Sequence, residues 1–117
     1  MKTSELTRHA LNWAVSQVEG IDHDTAILNI TIGDDNGWFL DYLTWEQGGP
    51  IIERELIEIY PLCNVEWGAR KVNDEGDLMR FYGDTPLIAA MRCYVASKLG
   101  DEVEIPTELT QGEVNED

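Results

Sequence analysis

Positive charge is scarce in this sequence. Lysine and arginine number 8 among 117 residues, against 23 aspartates and glutamates, and the formal net charge is -15. Such a surface repels phosphate backbones at long range, so direct, sequence-independent nucleic-acid binding is not expected. It attracts a basic protein partner, including one that normally holds nucleic acid, and it also serves solubility alone. Cysteine is nearly absent: Cys63 and Cys93 form no CxxC pair, and His9 and His23 are too isolated to suggest a zinc site. No metal and no cofactor is expected, and both thiols are expected free in a reducing cytoplasm. No apolar run reaches membrane-spanning length, and the residues after Met1 do not read as a signal peptide. Hydrolase triad, P-loop and dinucleotide fingerprint are all missing, as are internal repeats. No residue is therefore assigned a catalytic role.

What remains suffices for one core. Hydrophobic residues make up 43% of the chain, and the length fits a single domain. Thr3 or Ser4 caps an expected helix that runs to about Val18 and stops at Gly20, with Leu6, Ala10, Trp13, Ala14 and Val18 on one stripe. Alternation over Ala26–Ile32 predicts a strand, Gly33–Gly37 a turn, and Trp38–Leu43 a partner strand. Pro50–Ile59 reads as a short helix followed by an extended segment. Val65–Val72 and Leu78–Tyr82 read as strands around a polar turn at Asn73–Asp77. Thr85 caps a second helix with Pro86 at its first position, an apolar stripe through Ile88, Met91, Val95 and Leu99, and a stop at Gly100. The expected class is α+β: a small antiparallel sheet packed against an N-terminal helix and a long buried C-terminal helix. Residues 1–107 form the expected single domain. Residues 108–117 read as an acidic flexible tail, in a stretch from Asp101 onward that carries seven acids and no base.

The most informative run is Thr44–Glu55, Thr-Trp-Glu-Gln-Gly-Gly-Pro-Ile-Ile-Glu-Arg-Glu. Gly48 and Gly49 permit unusual backbone angles or close approach, and Pro50 suits the first turn of a helix. Free N–H groups there, beside Trp45, would hold an anion carrying a flat ring. The same residues also read as a Gly-Gly-Pro chain reversal beside a core tryptophan. Thr85 opens a second helix N-terminus, and Arg54 and Arg92 are the cations chosen to complete the site. The candidate ligand-binding residues are thus Trp45, Gly48, Gly49, Arg54, Thr85 and Arg92. Glu53 and Glu55 would share a face only if extended; that arrangement is what a small hydrolase or lyase would require.

Three blocks carry a resemblance: Lys2-Thr-Ser-Glu-Leu6 with Leu11-Asn-Trp-Ala14 and Glu19-Gly20; Trp45 to Glu55; and Thr85 to Val103 followed by Pro106. Together they cover about half the chain. The sequence resembles the NinX-like family of small proteins encoded by lambdoid phages and related prophages. It departs from the family at Asp41–Trp45, where relatives often carry a Pro-Ser-Thr-Asp-Trp-like stretch. The resemblance implies a phage or prophage accessory protein in the cytoplasm of the infected or lysogenic host, and it implies no enzymatic activity.

These readings lead to a non-enzymatic protein that binds a small nucleotide-like molecule and sequesters a host defence signal. The alternative is an acidic inhibitor that mimics nucleic acid on a basic host protein, with the Glu53/Glu55 enzyme ranked last. A homodimer would let Gly-Gly-Pro segments from two chains meet.

Overall fold

The computed structural model describes residues 1–6, 8–28 and 41–106. Along the chain these form a 3-10 turn at Thr3–Glu5, helix α1 (Arg8–Glu19), a helical segment over 23–28 (α2), and helix α3 (Trp45–Glu55). Strands β1 (Glu58–Cys63), β2 (Glu66–Val72) and β3 (Leu78–Gly83) follow, and helix α4 (Pro86–Leu99) comes last.

Helix α4 is the centre of the molecule because almost none of its circumference is polar. Leu87, Ala89, Ala90, Met91, Cys93, Tyr94, Val95 and Ala96 are all buried, which needs partners on every side. The sheet covers one side, and α1 and α3 pack on the other. Both expected caps form: the Thr85 side chain accepts from the Ile88 N–H at 3.1 Å, and Gly100 ends the helix at φ 93°.

The sheet is antiparallel in the order β1-β2-β3, with Ile59, Ala69 and Phe81 in register, and likewise Tyr60, Gly68 and Tyr82. Ile59, Trp67, Ala69, Met79 and Phe81 line the face toward α4. The β2–β3 turn closes where expected, with Asn73 Oδ1 accepting from the Glu75 and Asp77 N–H groups, both at 2.9 Å. The α+β class and the sheet against a buried C-terminal helix are therefore found as expected. The N-terminal helix reaches this assembly through α4.

Four local expectations need correction. The first helix starts at Arg8, because Thr3 is not a cap: its hydroxyl donates to the Gly100 carbonyl at 2.6 Å, and Leu6 is extended. Residues 26–28 are helical rather than a strand. Asp22 caps that turn by accepting from the Thr25 N–H at 3.1 Å and the Thr25 hydroxyl at 2.7 Å. Residues 41–43 are not a strand either: the Tyr42 N–H is held at 2.8 Å by buried Asn12 Oδ1. The rest of the expected 26–43 hairpin, over 29–40, lies outside the described residues, and so does the expected tail at 108–117. Finally, α3 begins at Trp45, capped by Thr44, which accepts from the Gln47 N–H at 3.3 Å, so Pro50 sits inside the helix. Gly49, with no Cβ to strike the proline ring, makes a helical residue before Pro50 tolerable.

Beside the sheet, residues near the two ends of the described chain meet. The Thr3 N–H donates to the Asp101 carbonyl at 2.7 Å and the Val103 N–H to the Met1 carbonyl at 2.9 Å, making a bridge of Lys2 with Glu102.

Candidate functional site

The six residues singled out by sequence separate into three places. Trp45, Gly48 and Gly49 sit in the first turns of α3. Gly48 is seated against Leu87, two residues after Thr85, so these four lie where α3 meets the start of α4. A Cβ on Gly48 would fall 2.2 Å from the Tyr42 carbonyl oxygen and 2.7 Å from Leu87 Cδ2, so this glycine serves close helix packing. Its N–H donates to the Thr44 carbonyl at 2.7 Å and is not free for an anion. Trp45 is 57% exposed, a solvent-facing ring and not core. The Thr85 hydroxyl is engaged in its own helix cap.

Arg54 lies at the far end of α3, about 13 Å from Trp45 at 1.5 Å per residue. There it donates to Glu19 at 2.7 Å, to Glu55 at 2.9 Å and to the Tyr94 hydroxyl at 2.9 Å, while Tyr94 donates to Glu19 at 2.5 Å. Hydrogen bonds from Glu19 and Glu55 raise the Arg54 pKa above its ordinary value. Burial alone would raise Glu19, but the bonds from Arg54 and Tyr94 outweigh it and lower its pKa. This network fastens α1, α3 and α4 together. Glu53 and Glu55 both lie on helical backbone and point apart, so the shared face that an acid–base pair needs does not form.

Arg92 occupies a third place, on the side of α4 that faces the Met1–Leu6 segment and the end of β3. Its Nε donates to the Leu6 carbonyl at 2.9 Å and its Nη1 to the Tyr82 carbonyl at 2.6 Å. Burial pulls its pKa below the ordinary arginine value, with Asp84 working the other way. Two adjoining clefts open here. One, of about 370 Å³, is lined by Ser4, Glu66, Arg80, Tyr82, Asp84 and Arg92 among others; the second, of about 670 Å³, lies between Lys2, Ser4, Phe81, Asp101 and Glu102. Ser4 and Phe81 belong to both. Three of the eight basic residues, Lys2, Arg80 and Arg92, therefore border one region beside two aromatic rings, at a size suited to a small molecule.

Residues 2–98 match the family described as Bacteriophage P22, NinX. The chain belongs to this family. The matched span contains all four helices, the sheet and all six residues chosen from the sequence, and it excludes Asp101–Val103, the outer strand of the Lys2–Glu102 bridge. No curated protein matches the chain. Among the described residues of this NinX-family protein no cluster of His, Cys, Asp or Glu could hold a metal ion, and no helix is long and apolar enough to cross a membrane.

Lys2, Ser4, Arg80, Phe81 and Tyr82 were not singled out by sequence. The alternation of Leu78, Arg80 and Tyr82 was a readable signal for the strand's outer face. Nothing local marked Lys2, which reaches the cleft only because distant segments pair.

Proposed function

We propose that this NinX-family protein is a phage accessory protein that binds a small, nucleotide-like molecule in the cleft between the Lys2–Glu102 bridge and β3. The carrying observation is the gathering of Lys2, Arg80 and Arg92 beside Phe81 and Tyr82 in a chain of net charge -15. Cations supply the counter-charge for phosphate, and aromatic rings supply a surface for a base. The carboxylates of Asp101 and Glu102 at the rim suit ribose hydroxyls, which donate to them. Binding without turnover would let the protein sequester a host defence signal. Trp45, exposed on α3, is a second stacking surface and is kept as a competing location for the same ligand class.

The test is a thermal-shift series with mononucleotides, cyclic dinucleotides and ADP-ribose at two salt concentrations. A ligand at a hundredfold over its Kd stabilises the fold by about 2.7 kcal/mol. The proposal expects a hit that Lys2→Glu removes and Trp45→Ala leaves in place. Loss with Trp45→Ala alone moves the site to α3, and no hit at all overturns ligand binding.

A second reading keeps its own observation, the acidic excess that concentrates from Asp101 onward. Here the protein occupies the basic site of a host protein as a nucleic-acid mimic. Such binding weakens steeply as salt rises, whereas an enclosed ligand is affected less.

A further inference from the structure

We propose that the open face of the sheet is a self-association surface, on which a second copy of this chain packs face to face about a two-fold axis. The inference rests on the sheet and not on the ligand reading.

Helix α4 covers one face of the three strands. Alternation directs Tyr60 of β1, Glu66, Gly68, Arg70 and Val72 of β2, and Leu78, Arg80 and Tyr82 of β3 to the other face. That face is open among the described residues: Val72, Leu78 and Tyr82 are 54%, 50% and 43% exposed. Apolar residues gathered on one sheet face mark an interaction surface. Tyr60 lies flat over β2, since a Cβ on Gly68 would sit 2.5 Å from its ring, and this leaves the middle of the face low enough for another sheet to approach. Aligned sheets pack about 10 Å apart.

Charge selects the occupant. Glu58 and Arg70 neutralise each other at 2.6 Å, leaving Arg80 and Glu66 as one charge of each sign. The excess of -15 therefore lies on other surfaces, where two copies repel each other. The remaining charges are also arranged self-complementarily. In register, Glu58, Arg70 and Arg80 form one layer and Tyr60, Gly68 and Tyr82 the next. Glu66 lies two residues beyond Gly68 and Asp84 two beyond Tyr82. A two-fold axis lying across the strands at the level of Gly68 sets Arg70 and Arg80 of one copy opposite Glu66 and Asp84 of the other. The tyrosine layers then meet at the centre, as an isologous interface requires.

Sedimentation velocity and light scattering on the purified chain over a concentration series test this. The expected mass is twice 13.2 kDa, with association strengthened as added salt screens the net repulsion. Tyr82→Asp is expected to weaken the dimer by about tenfold or more while the far-UV spectrum is unchanged. Glu66→Arg weakens it as well, and adding Arg70→Glu restores it, because the pair is then reversed across the axis. A monomer of 13.2 kDa at every concentration overturns the proposal, as does a dimer that neither Tyr82→Asp nor Glu66→Arg disturbs. A monomer whose sheet face captures a different protein also overturns it.

Discussion

Arg92 on the central helix donates to the backbone carbonyl of Leu6 at 2.9 Å, across 86 residues of sequence. With its second bond to the Tyr82 carbonyl it joins the N-terminal segment, β3 and α4 at one guanidinium. A cation held by carbonyls keeps its charge un-neutralised by contact, so it adds positive potential to the neighbouring cleft while serving the fold. Arg92→Ala is expected to cost about 2–3 kcal/mol, since hydrogen bonds to a charged group are the stronger kind and two carbonyls lose their donor. Arg92→Lys recovers less than half, because one ammonium does not reproduce the planar fork. Urea unfolding midpoints of the three proteins check this, and equal midpoints would remove Arg92 from the account of the fold.

Close packing of α3 depends on one glycine of the pair and not on the other. Gly48→Ala places a methyl group into the Tyr42 carbonyl, which is backbone and does not yield, so a loss of about 1–3 kcal/mol is expected. At Gly49 the nearest atom to a new Cβ is Trp45 Cε3 at 3.9 Å, an ordinary contact. Gly49→Ala is expected to stay within about 1 kcal/mol of the parent. Thermal melts of the two variants give the comparison, and an unaffected Gly48→Ala would show that α3 is seated differently.

Leu56 ends α3 in the left-handed conformation, at φ 57°, with its side chain 85% exposed. The Ile57 N–H reaches back to the Ile52 carbonyl at 3.1 Å, which completes the turn that usually carries glycine. Leu56→Gly is expected to stabilise the protein by about 1 kcal/mol, by relieving a strained backbone without removing buried contacts. A lower melting temperature for this variant would contradict that geometry.

Stability is expected to decline at alkaline pH for an identifiable reason. Burial pushes the Cys93 thiol up to about 11 from 9.0. Burial also raises Tyr42, and burial together with the hydrogen bond to Glu19 raises Tyr94. Each raised group holds its proton longer in the folded state. Its contribution is whole below the unfolded value and is lost as pH rises through the folded one. For Cys93 the loss amounts to about 2–3 kcal/mol between pH 9 and 11. Glu19 acts oppositely: its lowered pKa favours the fold above the ordinary 4.5, and that part is lost as pH falls. Urea midpoints measured from neutral to alkaline pH should fall, and Cys93→Ser should flatten the first part of the decline. A level profile would rule out burial of these groups.

Where the fold was legible in the sequence, the signals were local. Thr85, Pro86 and Gly100 bracket α4 with caps that act within one turn, and the β2–β3 hairpin carries its own Asn73 turn. Two errors came from competing local signals. The Asp22 side chain starts a helix just ahead of residues whose alternation favours a strand, and the Thr44 cap starts α3 before the Gly-Gly-Pro that suggested a beginning. The candidate site was hardly legible, because it is assembled by long-range contacts. Lys2 reaches β3 only through pairing with Glu102, and Arg92 is aimed by carbonyls of Leu6 and Tyr82 that no spacing rule connects to it. Arg54 misled for the same reason: its partners Glu19 and Tyr94 come from two other helices.

The most direct test of ligand binding at the Lys2–β3 cleft is isothermal titration calorimetry with the strongest thermal-shift ligand, on the parent chain and on Lys2→Glu. Lys2 lies off the open sheet face, so its reversal separates ligand binding from self-association. The account predicts saturable binding to the parent and a loss of affinity of about tenfold or more in Lys2→Glu, with melting of the unliganded proteins equal. Identical affinity in the two proteins would place the ligand elsewhere and contradict the central claim.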